Sequence, residues 1–217
     1  MTPTQVDQSP PGKRETRKRE TREAIVAAAG RLFDERGYDG VTVVDIAASV
    51  GISVKTLFTY FHSKEDLALA REERLLALVP AAVAGRGPGS TPLEAVTQAL
   101  VAAFAERDDP DGLEAFHHRL EGGAAVSSRL RRMFEGCEEE MAELLAAERN
   151  EAVPSPETRL VAAQLIALVR ITTSPDALAF VRARRSADSQ EPALREWIER
   201  SAAQLSAGLA DYGRRPG

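Results

Sequence analysis

The chain has 217 residues, of which 43% are hydrophobic and 28% are charged, a composition typical of a folded globular protein rather than a disordered or fibrous one. No apolar run reaches the ~18 residues of a membrane span, and the polar first 22 residues contain no secretory signal. A single cysteine, Cys137, excludes an internal disulfide framework and suits a reducing compartment. These features predict a cytoplasmic protein that binds no membrane.

The net charge of −5 is unevenly distributed along the chain. Residues 1–64 carry 10 Lys and Arg against 8 Asp and Glu, whereas residues 65–217 carry 18 against 25. Within residues 13–22, six side chains are basic and two are acidic. Such asymmetry is expected when one end of a protein meets an anionic polymer, although a charge run alone is more often a solvated tail. We expect a flexible basic leader over residues 1–15.

Apolar periodicity and capping signals predict four helices in the N-terminal part of the chain. An apolar stripe over residues 17–36 predicts the first helix, which Gly37 ends. Three cap signals follow, at Thr42 with Asp45, at Ser53, and at Ser63 with Asp66. Gly51 ends the second helix, and the fourth is expected to run from Ser63 toward Pro80.

The remainder of the chain is also helical by pattern. Residues 86–92 (RGPGSTP) form the clearest linker by composition, and residues 91–94 open a new helix with a cap, a proline and an acid. Further helices are expected near 92–107, 111–121, 125–150, 157–185 and 190–212. Pro175 should kink or split the fourth of these, because it removes a backbone donor. No strand pattern or internal repeat is found, so the predicted fold class is all-α.

Two short predicted helices are joined by a tight Val50-Gly51-Ile52 connection, which is the pattern of a helix-turn-helix DNA-binding motif. Residues 41–67, VTVVDIAASVGISVKTLFTYFHSKEDL, resemble the TetR family of transcriptional regulators almost position by position, and the resemblance extends back to about Thr16. It implies an N-terminal three-helix helix-turn-helix DNA-binding domain over 16–70. Over 71–217 it implies a larger helical domain that binds a small-molecule ligand and dimerises through its last two long helices.

The resemblance also implies which residues contact DNA. The first turn of the recognition helix would face the base edges with Ser53, Val54, Lys55 and Thr56. Phosphate contacts would come from Thr42, Thr59, Tyr60, His62 and Lys64, and residues 13–22 would reach the backbone or the adjacent minor groove. Each could instead be an ordinary cap or surface residue. Lys55 stands where the family often has a small residue, and Phe58 replaces a frequent tyrosine.

No catalytic or cofactor motif is found in the sequence. His117 completes a single E-x-x-H with Glu114, whereas a di-iron bundle needs two such motifs. There is no H-E-x-x-H, paired C-x-x-C, P-loop, nucleophile elbow or Rossmann glycine pattern. We therefore expect neither catalysis nor a bound metal or cofactor.

The larger domain contains apolar residues at helical spacing that could line a ligand cavity or form plain core. The candidate lining is Phe104, Phe116, Phe134, Cys137 and Met141, with His117, Arg170 or Thr172 as a polar anchor. The last helix has an apolar stripe suited to a four-helix interface with a second subunit, formed by Leu194, Trp197, Ile198, Leu205 and Leu209.

The resemblance therefore predicts a homodimeric repressor that leaves palindromic double-stranded operator DNA when a small apolar or amphipathic effector binds. A second hypothesis keeps the DNA-binding dimer without the ligand, as an activator or as a repressor controlled by a partner protein. A third is a helical small-molecule carrier or enzyme with a degenerate DNA-binding head. Tight sequence-specific DNA binding would exclude the third hypothesis, and effector-induced release separates the first two.

Overall fold

The computed structural model describes residues 13–105, 112–120, 123–184 and 191–209. Eleven helices and no strand occur within these residues, which confirms the all-α fold class. The helices are α1 (Lys13–Arg36), α2 (Val43–Ser49), α3 (Val54–Leu57), α4 (Lys64–Ala68), α5 (Ala70–Gly85), α6 (Pro92–Ala105), α7 (Gly112–Leu120), α8 (Ala124–Glu148), α9 (Pro156–Thr172), α10 (Pro175–Arg184) and α11 (Glu191–Leu209). They form two compact units, which divide between Ala68 and Leu69.

The first unit consists of α1 to α4 packed around the C-terminal half of α1. Helices of four to seven residues are too short to be stable alone in water, so α2, α3 and α4 depend on this packing. Their core contains fully buried side chains from three helices, namely Ile25 and Phe33 of α1, Ile46 of α2 and Leu57 of α3. The burial of these side chains therefore fixes where the short helices lie.

Helix α1 begins four residues earlier than the predicted start at Arg17, so the expectation of a flexible leader over residues 1–15 is wrong for residues 13–15. Residues 13–22 lie in helical turns rather than in an extended arm. Lys, Arg and Glu are good helix formers, and Arg19 pairs with Glu23 at i,i+4 with a nitrogen-to-oxygen distance of 4.0 Å. Residues 1–12 of the predicted leader lie outside the described residues.

The fourth predicted helix is divided into two. Ser63 caps α4 as predicted, with its hydroxyl accepting from the Asp66 amide at 3.0 Å, but α4 ends at Ala68 and a separate helix, α5, begins at Ala70. Helix α5 then continues through Pro80 to Gly85. The predicted stop at Pro80 is therefore wrong.

A thiol compensates for the proline inside α5. Pro80 has no N–H, so the carbonyl of Leu76, four residues earlier, lacks its usual helical donor. The Cys137 thiol of α8 donates to that carbonyl oxygen at a sulfur-to-oxygen distance of 3.5 Å. Burial, with the nearby Glu140 and Glu138 carboxylates, raises the pKa of Cys137 to about 12, so the thiol keeps the proton that it donates.

The segment over 86–92 that resembles a linker by composition is a packed loop within the second unit. The Arg86 side chain is 2% exposed and donates to both carboxylate oxygens of Glu148 at 2.8 and 2.6 Å. Thr91 is buried and forms the predicted capping box with Glu94 at the start of α6. The linker expectation is thus corrected, because a buried guanidinium ties this loop to the end of α8.

The second unit has one apolar core, to which all seven helices from α5 to α11 contribute. The predicted helices near 92–107, 111–121, 125–150 and 190–212 correspond to α6, α7, α8 and α11. The predicted break at Pro175 is confirmed, since α9 ends at Thr172 and α10 begins at Pro175. Predicted ends at 106–107, 111, 121, 185, 190 and 210–212 lie outside the described residues.

No single helix among the described residues is both long enough and apolar enough to span a membrane. Helices α9 and α10 together meet both conditions, with a bend of 47° between them.

The turn between α8 and α9 is organised by one carboxylate. Glu151 accepts from the Ser155 amide at 3.0 Å, from the Thr158 hydroxyl at 2.8 Å and from the Arg149 guanidinium at 2.8 Å. These hydrogen bonds, the Ser155 amide first, lower the pKa of Glu151 to about 2. The carboxylate therefore stabilises the start of α9 in its charged form.

Acid should remove this stabilisation. The pKa of Glu151 is lower in the folded chain than its ordinary value of 4.5, so its contribution is complete above that value and is lost as pH falls toward about 2. We expect Glu151→Gln to lower the free energy of unfolding at neutral pH, and the deficit to disappear between about pH 5 and about pH 2. Urea titrations followed by Trp197 fluorescence report this, because Trp197 is the single tryptophan. Glu135→Gln changes an exposed α8 position, and its free energy of unfolding should differ from that of the wild type by the same amount at neutral and at acid pH.

Candidate nucleic-acid interface

The helix-turn-helix motif begins with a complete capping box. The Thr42 hydroxyl accepts from the Asp45 amide at 3.2 Å, and the Asp45 carboxylate accepts from the Thr42 amide at 2.8 Å. The Thr42 hydroxyl also donates to that carboxylate at 2.5 Å. The predicted cap is confirmed, and its geometry fixes the direction in which α2 leaves the preceding loop.

The turn between α2 and α3 is built from backbone hydrogen bonds around one glycine. The Ile52 amide donates to the Ala47 carbonyl at 3.0 Å, and the Gly51 amide donates to the Ala48 carbonyl at 3.2 Å. Gly51 has a φ of 69°, in the left-handed region that glycine enters without a steric penalty. The glycine requirement is conformational, because a Cβ there would meet no atom within 4 Å.

Helix α3 presents the predicted base-contacting residues from a single turn. Ser53 caps it, with its hydroxyl accepting from the Thr56 amide at 3.0 Å. Leu57 is buried and anchors the turn, Lys55 is exposed, and Val54 and Thr56 are half-buried. The Ser53 and Thr56 hydroxyls also share a hydrogen bond at 2.8 Å, so both are held within the turn. Lys55 is the long cationic side chain of this turn, and it extends into solvent.

The predicted phosphate contacts have different local surroundings. Thr59 and His62 are exposed and Tyr60 is half-buried. The Thr59 hydroxyl donates to the Thr56 carbonyl at 2.6 Å, just as the Thr42 hydroxyl donates to Asp45. Both threonine hydroxyls would have to exchange an existing hydrogen bond to donate to a phosphate.

Lys64 lies over an aromatic ring. Its ammonium nitrogen is 4.0 Å from the centroid of the Tyr38 ring, and the Tyr38 hydroxyl donates to the Glu65 carboxylate at 2.9 Å. Burial, and then the bond to Glu65, raises the pKa of Tyr38, while the Glu65 backbone amide and then Tyr38 lower the pKa of Glu65. These contacts join the residues after α1 to the first turn of α4 and restrict where the Lys64 cation can lie.

Two apolar side chains of this unit are largely exposed. Val44 of α2 is 60% exposed, and Phe58, which follows α3, is 42% exposed. Apolar side chains of this kind can contact thymine methyl groups. The sequence analysis did not identify Val44 as a candidate DNA contact. Helical periodicity shows only that Val44 lies outside the buried stripe of α2, and many surface residues share that property.

The predicted ligand-lining residues of the second unit belong to its packed core. Phe104, Phe116, Phe134, Cys137 and Met141 are all buried in the core cluster. Thr172 is buried and donates to the Leu168 carbonyl at 2.8 Å, and His117 stacks edge to face on Phe116 at 5.3 Å. Arg170 is exposed, lies over the Phe134 ring at 4.8 Å and pairs with Glu138 at 3.6 Å. These residues are therefore occupied by contacts within the unit.

The predicted interface stripe of α11 is divided between core and surface. Leu194 and Ile198 are buried against the unit's own helices, so their assignment to a dimer interface is wrong in this structure. Leu205 is partly buried against the core, and Trp197 is half-buried. The Trp197 indole nitrogen donates to the Ile171 carbonyl at 3.0 Å. The side chain of Leu209 lies outside the described residues.

A concavity of about 490 Å³ lies beside this stripe, between α9, α10 and α11. Its walls combine apolar side chains with two arginines, and they include Ala167, Ile171, Phe180, Arg184, Trp197 and Arg200. Arg184 lies over the Phe180 ring at 3.8 Å. None of the predicted ligand-lining residues is among those that line this concavity.

Comparison with known proteins agrees with the motif. Residues 25–70 match the family model of bacterial regulatory proteins, tetR family. The transcriptional regulator TcmR of Streptomyces glaucescens is 31% identical over 155 residues, which cover 71% of this chain and 64% of TcmR. The negative regulator IcaR of the Staphylococcus aureus biofilm operon is 44% identical over 46 residues, or 21% of this chain and 25% of IcaR. The chain thus spans less than two thirds of the length of these curated relatives.

A solved structure agrees over a longer stretch. The transcriptional regulator FadR from Bacillus subtilis, in complex with stearoyl-CoA, superposes with a TM-score of 0.55 over 86% of this chain and 98% of FadR, at 16% identity. A likeness at this identity establishes the fold.

A capped helix, a glycine turn and a second capped helix with an exposed first turn define a helix-turn-helix protein of the DNA-binding class. Residues 25–70, which match the family model, are therefore a DNA-binding domain of the tetR type.

Two lysines of this interface should behave differently toward DNA. Lys55→Ala should lose about 1–3 kcal/mol on the preferred operator and relax the base preference at one position of each half-site. Lys64→Ala should weaken binding to all duplexes similarly and make the salt dependence shallower, because phosphates carry no sequence information. Titrating each variant against cognate and scrambled duplexes at two salt concentrations distinguishes a base contact from a phosphate contact. An equal loss on both duplexes for Lys55→Ala would make Lys55 a phosphate contact.

Proposed function

We propose that the protein is a transcriptional repressor that binds palindromic operator DNA as a cytoplasmic homodimer and is released by a small apolar or amphipathic effector. The observation that carries the DNA-binding part is the capped first turn of α3, where Ser53 fixes the turn and Lys55 extends into solvent. Base contacts would come from Ser53, Val54, Lys55 and Thr56, and phosphate contacts from the other predicted residues. IcaR, which is named as a negative regulator, supports the sign of regulation.

The proposed dimer uses the outer faces of α9 and α11. On α9, Leu160 and Ile171 are 59% and 40% exposed and lie on one stripe with Gln164 and Ala167, at i, i+4, i+7 and i+11. On α11, Trp197, Ser201 and Gln204 have the same spacing. Ile171, Trp197 and Gln204 also line the concavity, so a second copy applied here would cover an apolar surface that the protomer itself leaves open.

The proposed effector response acts through α5, the first helix of the second unit. Glu72, in the first turn of α5, accepts from the Arg119 guanidinium of α7 at 3.2 Å, and both side chains are buried. Breaking a buried ion pair is costly, so α5 and α7 should move together. A ligand that enters the Phe116 and Phe134 region by displacing α7 would therefore act on α5, and DNA and effector would antagonise each other. FadR, solved with stearoyl-CoA, supports an amphipathic ligand class.

Control by a partner protein is the second candidate function. The observation that favours it is the packing of the five predicted ligand-lining side chains into the core cluster. The two candidates share the DNA-binding mechanism and differ only in what relieves repression.

The proposed function predicts sequence selection followed by ligand release. From a randomised duplex library the full chain should enrich a palindromic sequence with half-sites about one DNA turn apart. Fluorescence anisotropy should then show release of that duplex by members of a panel of acyl-CoA thioesters and hydrophobic drugs. Enrichment without release by any compound would favour control by a partner protein, and failure to enrich any sequence would overturn the DNA-binding proposal.

The proposed dimer face predicts a difference between two matched variants. Leu160→Glu places a charge on the α9 stripe and should give a monomer at micromolar concentration, with weaker operator binding. Leu78→Glu makes the same substitution at a leucine of α5 that is 43% exposed, away from that stripe, and should leave the dimer intact. Sedimentation velocity measures both. A wild-type monomer, or equal dimerisation of the two variants, would contradict this interface.

A further inference from the structure

The concavity between α9, α10 and α11 has walls of mixed chemistry. Its volume of about 490 Å³ lies within the range of pockets that hold small organic molecules. Apolar groups of Ile171, Trp197 and Leu205 form part of the surface, and the polar side chains of Ser201 and Gln204 lie beside them. A molecule that fills this space therefore needs an apolar body.

The charged groups in the walls are all positive among the residues that the structure describes. Arg184, at the end of α10, and Arg200 of α11 both line the concavity. Their guanidinium carbons are 3.8 and 5.6 Å from the centroid of the Phe180 ring, and that ring packs against Trp197 with 5.0 Å between centroids. Both cations therefore adjoin the same aromatic ring, next to the apolar part of the wall.

A single carboxylate beside the concavity is shared between the two arginines. Glu196 accepts from Arg200 at 3.3 Å, and its other oxygen is 3.9 Å from the Arg184 guanidinium, which is longer than a hydrogen bond. The three side chains are between 45% and 62% exposed, and ion pairs at such exposure contribute little to stability. One negative charge against two positive ones leaves the wall with a net positive charge.

This combination of walls selects an amphipathic anion. A guanidinium has five N–H donors in a planar fork that matches the two oxygens of a carboxylate. A neutral apolar molecule in the same place would cover the guanidinium groups without giving them an acceptor, which is unfavourable. An acid with an apolar body satisfies both the cations and the aromatic surface.

We propose that the concavity binds a small organic acid, with the carboxylate at the two arginines and the apolar body against Ile171 and Trp197. The site shares no residue with the predicted ligand-lining set, and its binding requires no DNA. One consequence rests on the proposed function, because Ile171 and Trp197 also belong to the proposed dimer face. The acid and a second copy would compete for this surface, so an acid bound to the single chain would favour dissociation of the dimer by mass action.

The experiment uses Trp197 as the reporter, because it is the single tryptophan and lines the concavity. The full chain is titrated with octanoate and with 1-octanol, which has the same number of carbon atoms and no charge, while Trp197 emission is followed. We expect saturable binding of octanoate, and binding of 1-octanol that is about tenfold weaker. Arg200→Gln and Arg184→Gln should each weaken octanoate binding about tenfold and leave 1-octanol binding unchanged.

Arg195→Gln is the matched control. Arg195 lies on the same helix and pairs with Glu191 at i,i+4, just as Arg200 pairs with Glu196, but it does not line the concavity. This variant should bind octanoate as tightly as the wild type does. If Arg184→Gln and Arg200→Gln bind octanoate no more weakly than Arg195→Gln, or if the wild type binds 1-octanol as tightly as octanoate, the proposal is overturned.

Leu160→Glu separates this proposal from the proposed dimer, which that substitution is expected to disrupt. Octanoate should bind Leu160→Glu more tightly than the wild type, because no second copy then covers the concavity. Equal affinity for the two proteins would support the acid site and contradict the proposed dimer face. Absence of a saturable change in Trp197 emission in both proteins would overturn the acid site, whatever duplex the chain binds.

Discussion

Burial of the apolar stripe of α1 is the interaction on which the DNA-binding unit depends. Helices α2, α3 and α4 contain seven, four and five residues, and isolated helices of that length are unstable because nucleation is unfavourable. Ile25 and Phe33 supply the surface that stabilises them, and side-chain caps from Thr42, Ser53 and Ser63 then set their starting points. Hydrophobic burial fixes the positions of the short helices, and local hydrogen bonds fix their directions.

Features determined by neighbouring residues could be predicted from the sequence. The three caps, the glycine turn at Gly51 and the break at Pro175 each depend on side chains and backbone angles within a few positions. Features that depend on distant residues could not. Pro80 is normally a helix stop, but α5 continues because a donor 61 positions from Leu76 satisfies the carbonyl left without a partner.

The same distinction accounts for the interface and ligand residues. Periodicity shows that Leu194, Trp197 and Ile198 share a helix face, but not whether that face meets the same chain or a second one. Leu194 and Ile198 are covered by the unit's own helices, whereas Leu160 and Ile171, which sequence reasoning did not single out, remain exposed on α9. Phe104, Phe116 and Met141 could not be assigned to core or cavity from their apolar character, because both environments select the same residues.

The hydrogen bond from Cys137 also makes the lone thiol a probe of local opening. Thiol reagents react with the thiolate, and burial together with the raised pKa keeps that form scarce while α5 and α8 are packed. Alkylation would require α5 and α8 to separate, so its rate at neutral pH would follow the opening equilibrium rather than the intrinsic reactivity of the sulfur. A ligand that tightens this part of the second unit would slow labelling, and one that loosens it would accelerate labelling, with no engineered reporter group.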